Sequence, residues 1–266
     1  MKLAFIGGGM MGEAIIAGAI ANDVTDAGSI TACDIVTARR KYLASQYKIS
    51  VTEDPIEALT GTDVVVLAVK PQEFSSAATR LEGHLEKRQT VMSIMAGVPI
   101  ATISERLKHN QVIRAIPNTP ATVGEGMTVW NATSSVKSTT RESVRMLLRV
   151  LGKEIYVDAE KYLDMATAVS SSGPAYVFLV MEAMIDAAVH IGLRREMAVP
   201  MVIQTFLGSA HYATESGRHL SELRNQVTSP GGTTTEGLLA LEEAGLRAAF
   251  VHAVEAAYLK AQELGG

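Results

Sequence analysis

The sequence predicts an α/β chain, with a doubly wound sheet in the N-terminal part followed by an all-helical C-terminal domain. Three observations carry that expectation. Short β-like runs alternate with helical stretches through residues 1–160, the order that builds a parallel sheet with helices on both faces. The first run passes straight into a glycine-rich turn, Gly7-Gly8-Gly9-Met10-Met11-Gly12. After Asp158 the strand-like runs stop, and long apolar helical patterns continue to the end.

Taken in order, strands are expected at 2–6, 29–33, 63–69, 90–94, 112–116, 127–130 and 154–157. The stretch Val64-Val65-Val66-Leu67-Ala68-Val69 is apolar throughout, as a strand buried on both faces should be. Helices are expected between them at 12–21, 38–46, 55–59, 72–81, 100–107 and 140–151. Six more follow, at 162–169, 174–191, 195–214, 220–227, 234–243 and 246–264. Pro174 suits a first helical turn, and Gly192 with Arg194 and Arg195 suits that helix's C-terminal end. The division is therefore a dinucleotide-binding domain over 1–160 and a helical domain over 161–266.

Composition narrows the function classes. The chain has 266 residues, 47% of them hydrophobic, and a formal net charge of -4, which gives no electrostatic footprint for nucleic acid. The N-terminus lacks a signal-peptide pattern. The single cysteine, Cys33, is read as a small buried hydrophobe, and a reducing cytoplasm is the expected compartment. Residues 175–191 are apolar enough to suggest a membrane span, but Glu182, Asp186 and His190 recur every fourth residue on one helix face. The expectation is a helix buried on most sides within protein, with one polar stripe. The last helix carries a second apolar stripe, Phe250, Val251, Val254, Ala257 and Tyr258. That much apolar face predicts packing against a second copy of the chain. The histidines His84, His109, His190, His211, His219 and His252 show no metal-ligand spacing, so no metal is expected.

The glycine turn is the cofactor motif. Gly7, Gly9 and Gly12 satisfy G-x-G-x-x-G between a strand and a helix: Gly7 for the tight turn, Gly9 for the approach of a pyrophosphate, Gly12 for helix–strand packing. This is the fingerprint of a Rossmann-type domain, and Gly8, Met10 and Met11 belong to the same loop. Asp34 ends the second strand, where an acid binds the ribose 2′-hydroxyl of NAD. Arg39 and Arg40 follow and could hold a 2′-phosphate, so the sequence leaves NADH and NADPH both open. Ala68-Val69-Lys70-Pro71 closes the longest strand, and strand ends line the ligand crevice of such sheets. Asn118, fixed between Pro117 and Pro120, is a candidate partner for nicotinamide or substrate.

A second constellation lies at residues 227–237. Ser229-Pro230-Gly231-Gly232-Thr233-Thr234-Thr235-Glu236 gathers hydroxyls and glycines at the start of a helix, and Thr233 with Glu236 has the spacing of a capping box. A helix N-terminus attracts a small anion, and Gly231 and Gly232 let it approach the backbone. Ser229, Thr233 and Thr234 could address a polar atom beside that anionic group.

Together these segments, with Ser170-Ser171-Ser172-Gly173-Pro174-Ala175-Tyr176, resemble the pyrroline-5-carboxylate reductases over nearly the whole chain. The resemblance implies NAD(P)H-dependent reduction of Δ1-pyrroline-5-carboxylate to L-proline, and a helical dimerisation domain whose dimers in several members assemble into decamers. It makes residues Ser229 and 231–235 the substrate turn, and Thr234 the residue that bonds the ring nitrogen and donates or relays its proton. A threonine hydroxyl is a weak acid, so orientation and a water relay are favoured. Two departures stand out. Asp34 sits awkwardly with the family's usual NADPH, and Pro55 stands where many members have a cofactor-touching Asn. Two other readings remain. A β-hydroxyacid dehydrogenase would want a lysine where Ser171, Ser172 and Gly173 stand, and a non-catalytic nucleotide sensor would need no substrate turn.

Overall fold

Strand β1 (Leu3–Ile6) is buried at all four positions, which places it in the middle of a sheet. The computed structural model describes residues 1–265. The other strands are β2 (Ile30–Cys33), β3 (Ser50–Thr52), β4 (Val64–Leu67), β5 (Thr90–Ser93), β6 (Val112–Ile116), β7 (Gly126–Ala132) and β8 (Gly152–Tyr156). They form one sheet in the order β3-β2-β1-β4-β5-β6-β7-β8. Every pairing is parallel except β6 with β7, where Ile113 lies opposite Ala132 and Ile116 opposite Val129. All seven expected strands are present. The eighth, β3, carries no apolar run and lies at the sheet edge.

The helices of this part are α1 (Met10–Ala21), α2 (Thr37–Tyr47), α3 (Pro55–Leu59), α4 (Phe74–Leu81), α5 (Ile100–Leu107) and α6 (Ser138–Arg149). The period-2 alternation of the strands assigns them to faces. Leu3 and Phe5 of β1 pack with Ile15 and Ile16 of α1, Leu43 of α2 and Leu147 of α6. Ala4 and Ile6 point the other way, to Leu59 of α3, Leu81 of α4 and Ile103 of α5. The sheet is thus wound on both faces. Each fully buried leucine or isoleucine contributes about 1.5–3 kcal/mol to holding it. Cys33 is buried at the end of β2, and burial pushes its thiol up to about 11.

The chain then runs through α7 (Lys161–Ala166), a π-helical turn (Thr167–Ser171) and α8 (Gly173–His190), followed by α9 (Arg195–Ser216), α10 (Leu220–Gln226), α11 (Thr233–Glu243) and α12 (Leu246–Gly265). The structure divides into two compact units. One is Met1–Ser172 together with the chain from Ala257 on; the other is Gly173–Ala256. The second unit is all helical, and of its side chains only Ala198 and Val202 are buried among the described residues. Here the sequence expectation needs correction. No residue of α8 is buried, and Phe178 and Leu179 stay 60% and 65% exposed. The helix is apolar as expected, but this chain alone does not cover it. The polar stripe is present and exposed, with Asp186 paired to Arg195 at 2.6 Å. Residues 161–190 are also long and apolar enough, by length and composition, to cross a membrane.

Candidate active site

The carboxyl ends of β1, β2 and β4 open onto a cleft of about 520 Å³. Gly7, Gly9, Asp34, Ala68, Val69 and Lys70 line it, so the structure brings together six of the residues expected to hold a dinucleotide. Gly7 has φ +99°, and a Cβ there would lie 2.7 Å from the Ala68 carbonyl oxygen, so the turn admits only glycine. At Gly12 an added Cβ would meet the Gly7 carbonyl oxygen at 3.0 Å, since α1 starts close against the strand ends. At Gly9 it would meet nothing within 4 Å, which is the open space a pyrophosphate needs. Gly9 is the N-cap of α1 and no side chain caps it. The amides of Met10, Met11 and Gly12 therefore stand at the positive end of the helix without an internal acceptor among the described residues. These residues fit a bound dinucleotide.

The rest of the expected cofactor set lies around the cleft. Gly8 donates its N–H to Asp34 Oδ2 at 2.8 Å, and a Cβ there would press on the Leu43 side chain at 2.6 Å. Arg39 reaches back to the Gly8 carbonyl and pairs with Glu13. Pro71 begins the 3-10 turn that leads into α4. Asn118 follows β6, away from the cleft lining. Its Nδ2 donates to the Ser170 carbonyl at 3.1 Å and its Oδ1 accepts from Met127 N at 2.9 Å. The amide thus ties the π-helical turn to β7.

Several lining residues escaped sequence reasoning: Val36, Gln72, Ser76, Ala77 and Arg80. Gln72, Ser76 and Arg80 recur every fourth residue after β4, a helical face turned toward the strand ends. That spacing was the available signal. Pro55 also lines the cleft, as do Cys33 and Asp34.

The hydroxyl-rich turn lies in the second unit. Gly231 takes φ +65°, and the Gly232 amide closes the turn on the Ser229 carbonyl at 3.0 Å. A Cβ at Gly232 would sit 2.3 Å from Ser229 Oγ, so glycine there makes room for the serine hydroxyl. The expected capping box does not form. Gly232, not Thr233, is the N-cap of α11, and no side chain caps the helix. This leaves the amides of Thr233 and Thr234 without an internal acceptor among the described residues. Thr235 braces the turn, its hydroxyl donating to the Ser229 carbonyl at 2.7 Å. The hydroxyls of Ser229, Thr233 and Thr234 remain available for a ligand.

Comparison with known proteins adds an independent line. The family model for pyrroline-5-carboxylate reductase dimerisation matches residues 160–264, and one for NADP oxidoreductase, coenzyme F420-dependent, matches residues 2–97. A pyrroline-5-carboxylate reductase of Synechocystis is 41% identical over 265 residues, covering 100% of this chain and 98% of that protein. The solved structure of a pyrroline-5-carboxylate reductase from Coxiella burnetii superposes with a TM-score of 0.93 at 35% identity, covering 100% of this chain and 98% of that one. One from Plasmodium falciparum with NADP bound gives 0.90 at 31% identity, with the same coverage.

Proposed function

The chain belongs to the pyrroline-5-carboxylate reductase family, and we infer that it reduces Δ1-pyrroline-5-carboxylate to L-proline with hydride from NAD(P)H. The observation that carries this is full-length similarity to reductases joined to an uncapped, hydroxyl-lined helix start suited to a small carboxylate. NAD(P)H oxidation followed by absorbance tests it. Pyrroline-5-carboxylate should be turned over and a panel of hydroxyacids and ketoacids should not. Turnover of a hydroxyacid with none of the imine would overturn it.

The substrate is a cyclic imine bearing a carboxylate. The bound dinucleotide supplies the hydride, and the protein must hold the ring and manage one proton. The amides of Thr233 and Thr234 and the dipole of α11 serve the carboxylate. The Ser229 hydroxyl adds a donor, held where Gly232 leaves space. Thr234, half-buried on the first turn of α11, bonds the ring nitrogen and passes a proton to it through water. On the cofactor side, the loop amides from Met10 to Gly12 hold the pyrophosphate.

The chain also works as a homodimer. Exposed apolar side chains crowd the helical unit, including Phe178, Leu179, Met201, Ile203, Leu207 and Val251. So many exposed large apolar side chains on one helical unit favour an association face. The family model over residues 160–264 describes a dimerisation domain, which favours a second copy over a bilayer as the cover for α8. Light scattering should give twice the chain mass, or a higher even multiple, unchanged on dilution through the micromolar range. A species of single-chain mass at every concentration would rule the dimer out.

A further inference from the structure

We propose that this chain selects NADH over NADPH, with Asp34 as the discriminating residue and Arg39 withheld from a 2′-phosphate by Glu13. The proposal rests on the reductase reading above and concerns the adenosine end of the same cleft.

Asp34 follows β2 and lines the cleft. Both of its carboxylate oxygens are fixed by backbone, Oδ2 by Gly8 N and Oδ1 by Val36 N, each at 2.8 Å. Each oxygen keeps a further lone pair, so the carboxylate stays an acceptor for ribose hydroxyls while its position is set. Because those bonds also shape the glycine loop, Asp34 cannot swing away from an incoming ligand without breaking them. A 2′-phosphate brings about two negative charges to the place where NAD has a hydroxyl. Pro55, also in the lining, offers no amide that could compensate.

The two arginines that follow Asp34 are already engaged. Arg39 donates Nε to the Gly8 carbonyl and pairs through its terminal nitrogen with Glu13. Glu13 is held in turn by the hydroxyls of Tyr42 at 2.9 Å and Tyr47 at 2.7 Å. Burial alone would raise the Glu13 carboxyl, but the bonds from Tyr47, Arg39 and Tyr42 outweigh it and hold the group below the usual carboxylate range. Arg40 is turned to the Asp34 carbonyl at 2.7 Å and to Glu53 at 2.8 Å. Arg80 lines the cleft from α4, with Asp54 3.8 Å from its guanidinium. Its planar group suits the adenine face. Beside Asp34 a 2′-phosphate would meet a fixed carboxylate, with Arg39 and Arg40 held by Glu13 and Glu53.

Fluorescence titration of NADH and NADPH, without imine, reads this as a ratio of Kd values. Wild type should bind NADH about 10- to 10²-fold more tightly, the like-charge cost of a phosphate at a carboxylate. Asp34→Asn removes the charge and keeps one acceptor for Gly8. It should shrink the ratio at least about fivefold, mainly by tightening NADPH. Glu13→Gln should release Arg39 and tighten NADPH severalfold with NADH little changed. Equal or tighter binding of NADPH by wild type, or a ratio untouched in Asp34→Asn, would overturn the proposal. If NADPH is preferred while pyrroline-5-carboxylate is still reduced, only the selectivity claim fails. If neither dinucleotide binds, the reductase reading fails with it.

Discussion

Replacing Thr234 by alanine should lower kcat about 10- to 10³-fold while the Kd for the dinucleotide stays within about twofold of wild type. The size follows from removing one hydrogen bond made in the transition state, roughly 1.4–4 kcal/mol. The selectivity of the effect follows from the structure. Thr234 lies on the first turn of α11, whereas the glycine loop, Asp34 and the end of β4 belong to the other unit. The turn itself should survive, because it is closed by Gly232 N on the Ser229 carbonyl and braced by Thr235, neither of which uses the Thr234 side chain. Thr234→Ser should recover most of the rate, since it restores the hydroxyl and loses only a methyl group. Thr235→Ala makes the contrast. It removes the brace and should weaken imine binding, seen as a raised KM, more than it lowers kcat. Wild-type turnover in Thr234→Ala would take that hydroxyl out of the mechanism.

Much of the fold could be read in advance because its signals are local. The apolar run 64–69 contains the buried strand Val64–Leu67, and G-x-G-x-x-G after a strand fixes both a turn and the helix behind it. What escaped was set by partners distant in the chain. β3 is three residues at a sheet edge, with too little apolar pattern to announce itself. The antiparallel entry of β7 depends on where the 3-10 turn at Thr119–Val123 returns the chain. α11 starts one residue earlier than the capping spacing suggested, with Gly232 at the N-cap and no side chain capping it. At the cofactor loop, the types and order of Asp34 and Arg39 were visible, and so was the conflict between them. The resolution was not, since Glu13 of α1 reaches Arg39, Tyr42 and Tyr47 of α2 only through the packing of the two helices. Likewise the apolar character of α8 was plain, but the side chains of this chain leave the helix exposed.

A large loss of stability is expected from Arg114→Met. Arg114 sits within β6 and is 1% exposed, an unusual place for a guanidinium. It is tolerated because Glu160 Oε1 lies 2.9 Å from one terminal nitrogen and Asp164 Oδ1 3.1 Å from the other. Those two acids stand four residues apart at the head of α7 and so face the strand together. Glu160 also accepts the amide of Ile100, at the first turn of α5. One side chain thereby ties β6 to α7 and to α5. Removing the cation leaves two partly buried carboxylates, 30% and 22% exposed, without their counter-ion, which puts the cost at the low end of the range of about 3–5 kcal/mol for a fully buried pair. For a unit of this size that lowers the thermal midpoint by roughly 6–12 °C. If the cost is uncompensated charge, it should be recoverable. Adding Glu160→Gln and Asp164→Asn to Arg114→Met should restore more than half of the loss, since a neutral polar pair beside methionine needs no counter-ion. The damage should also be local at first. α7 continues into the π-helical turn whose Ser170 carbonyl holds Asn118, so residues 160–172 should become the earliest site of protease cleavage in the single variant. A midpoint within about 2 °C of wild type for Arg114→Met would show that the ion pairs are dispensable. A triple variant no more stable than the single would place the cost in lost packing.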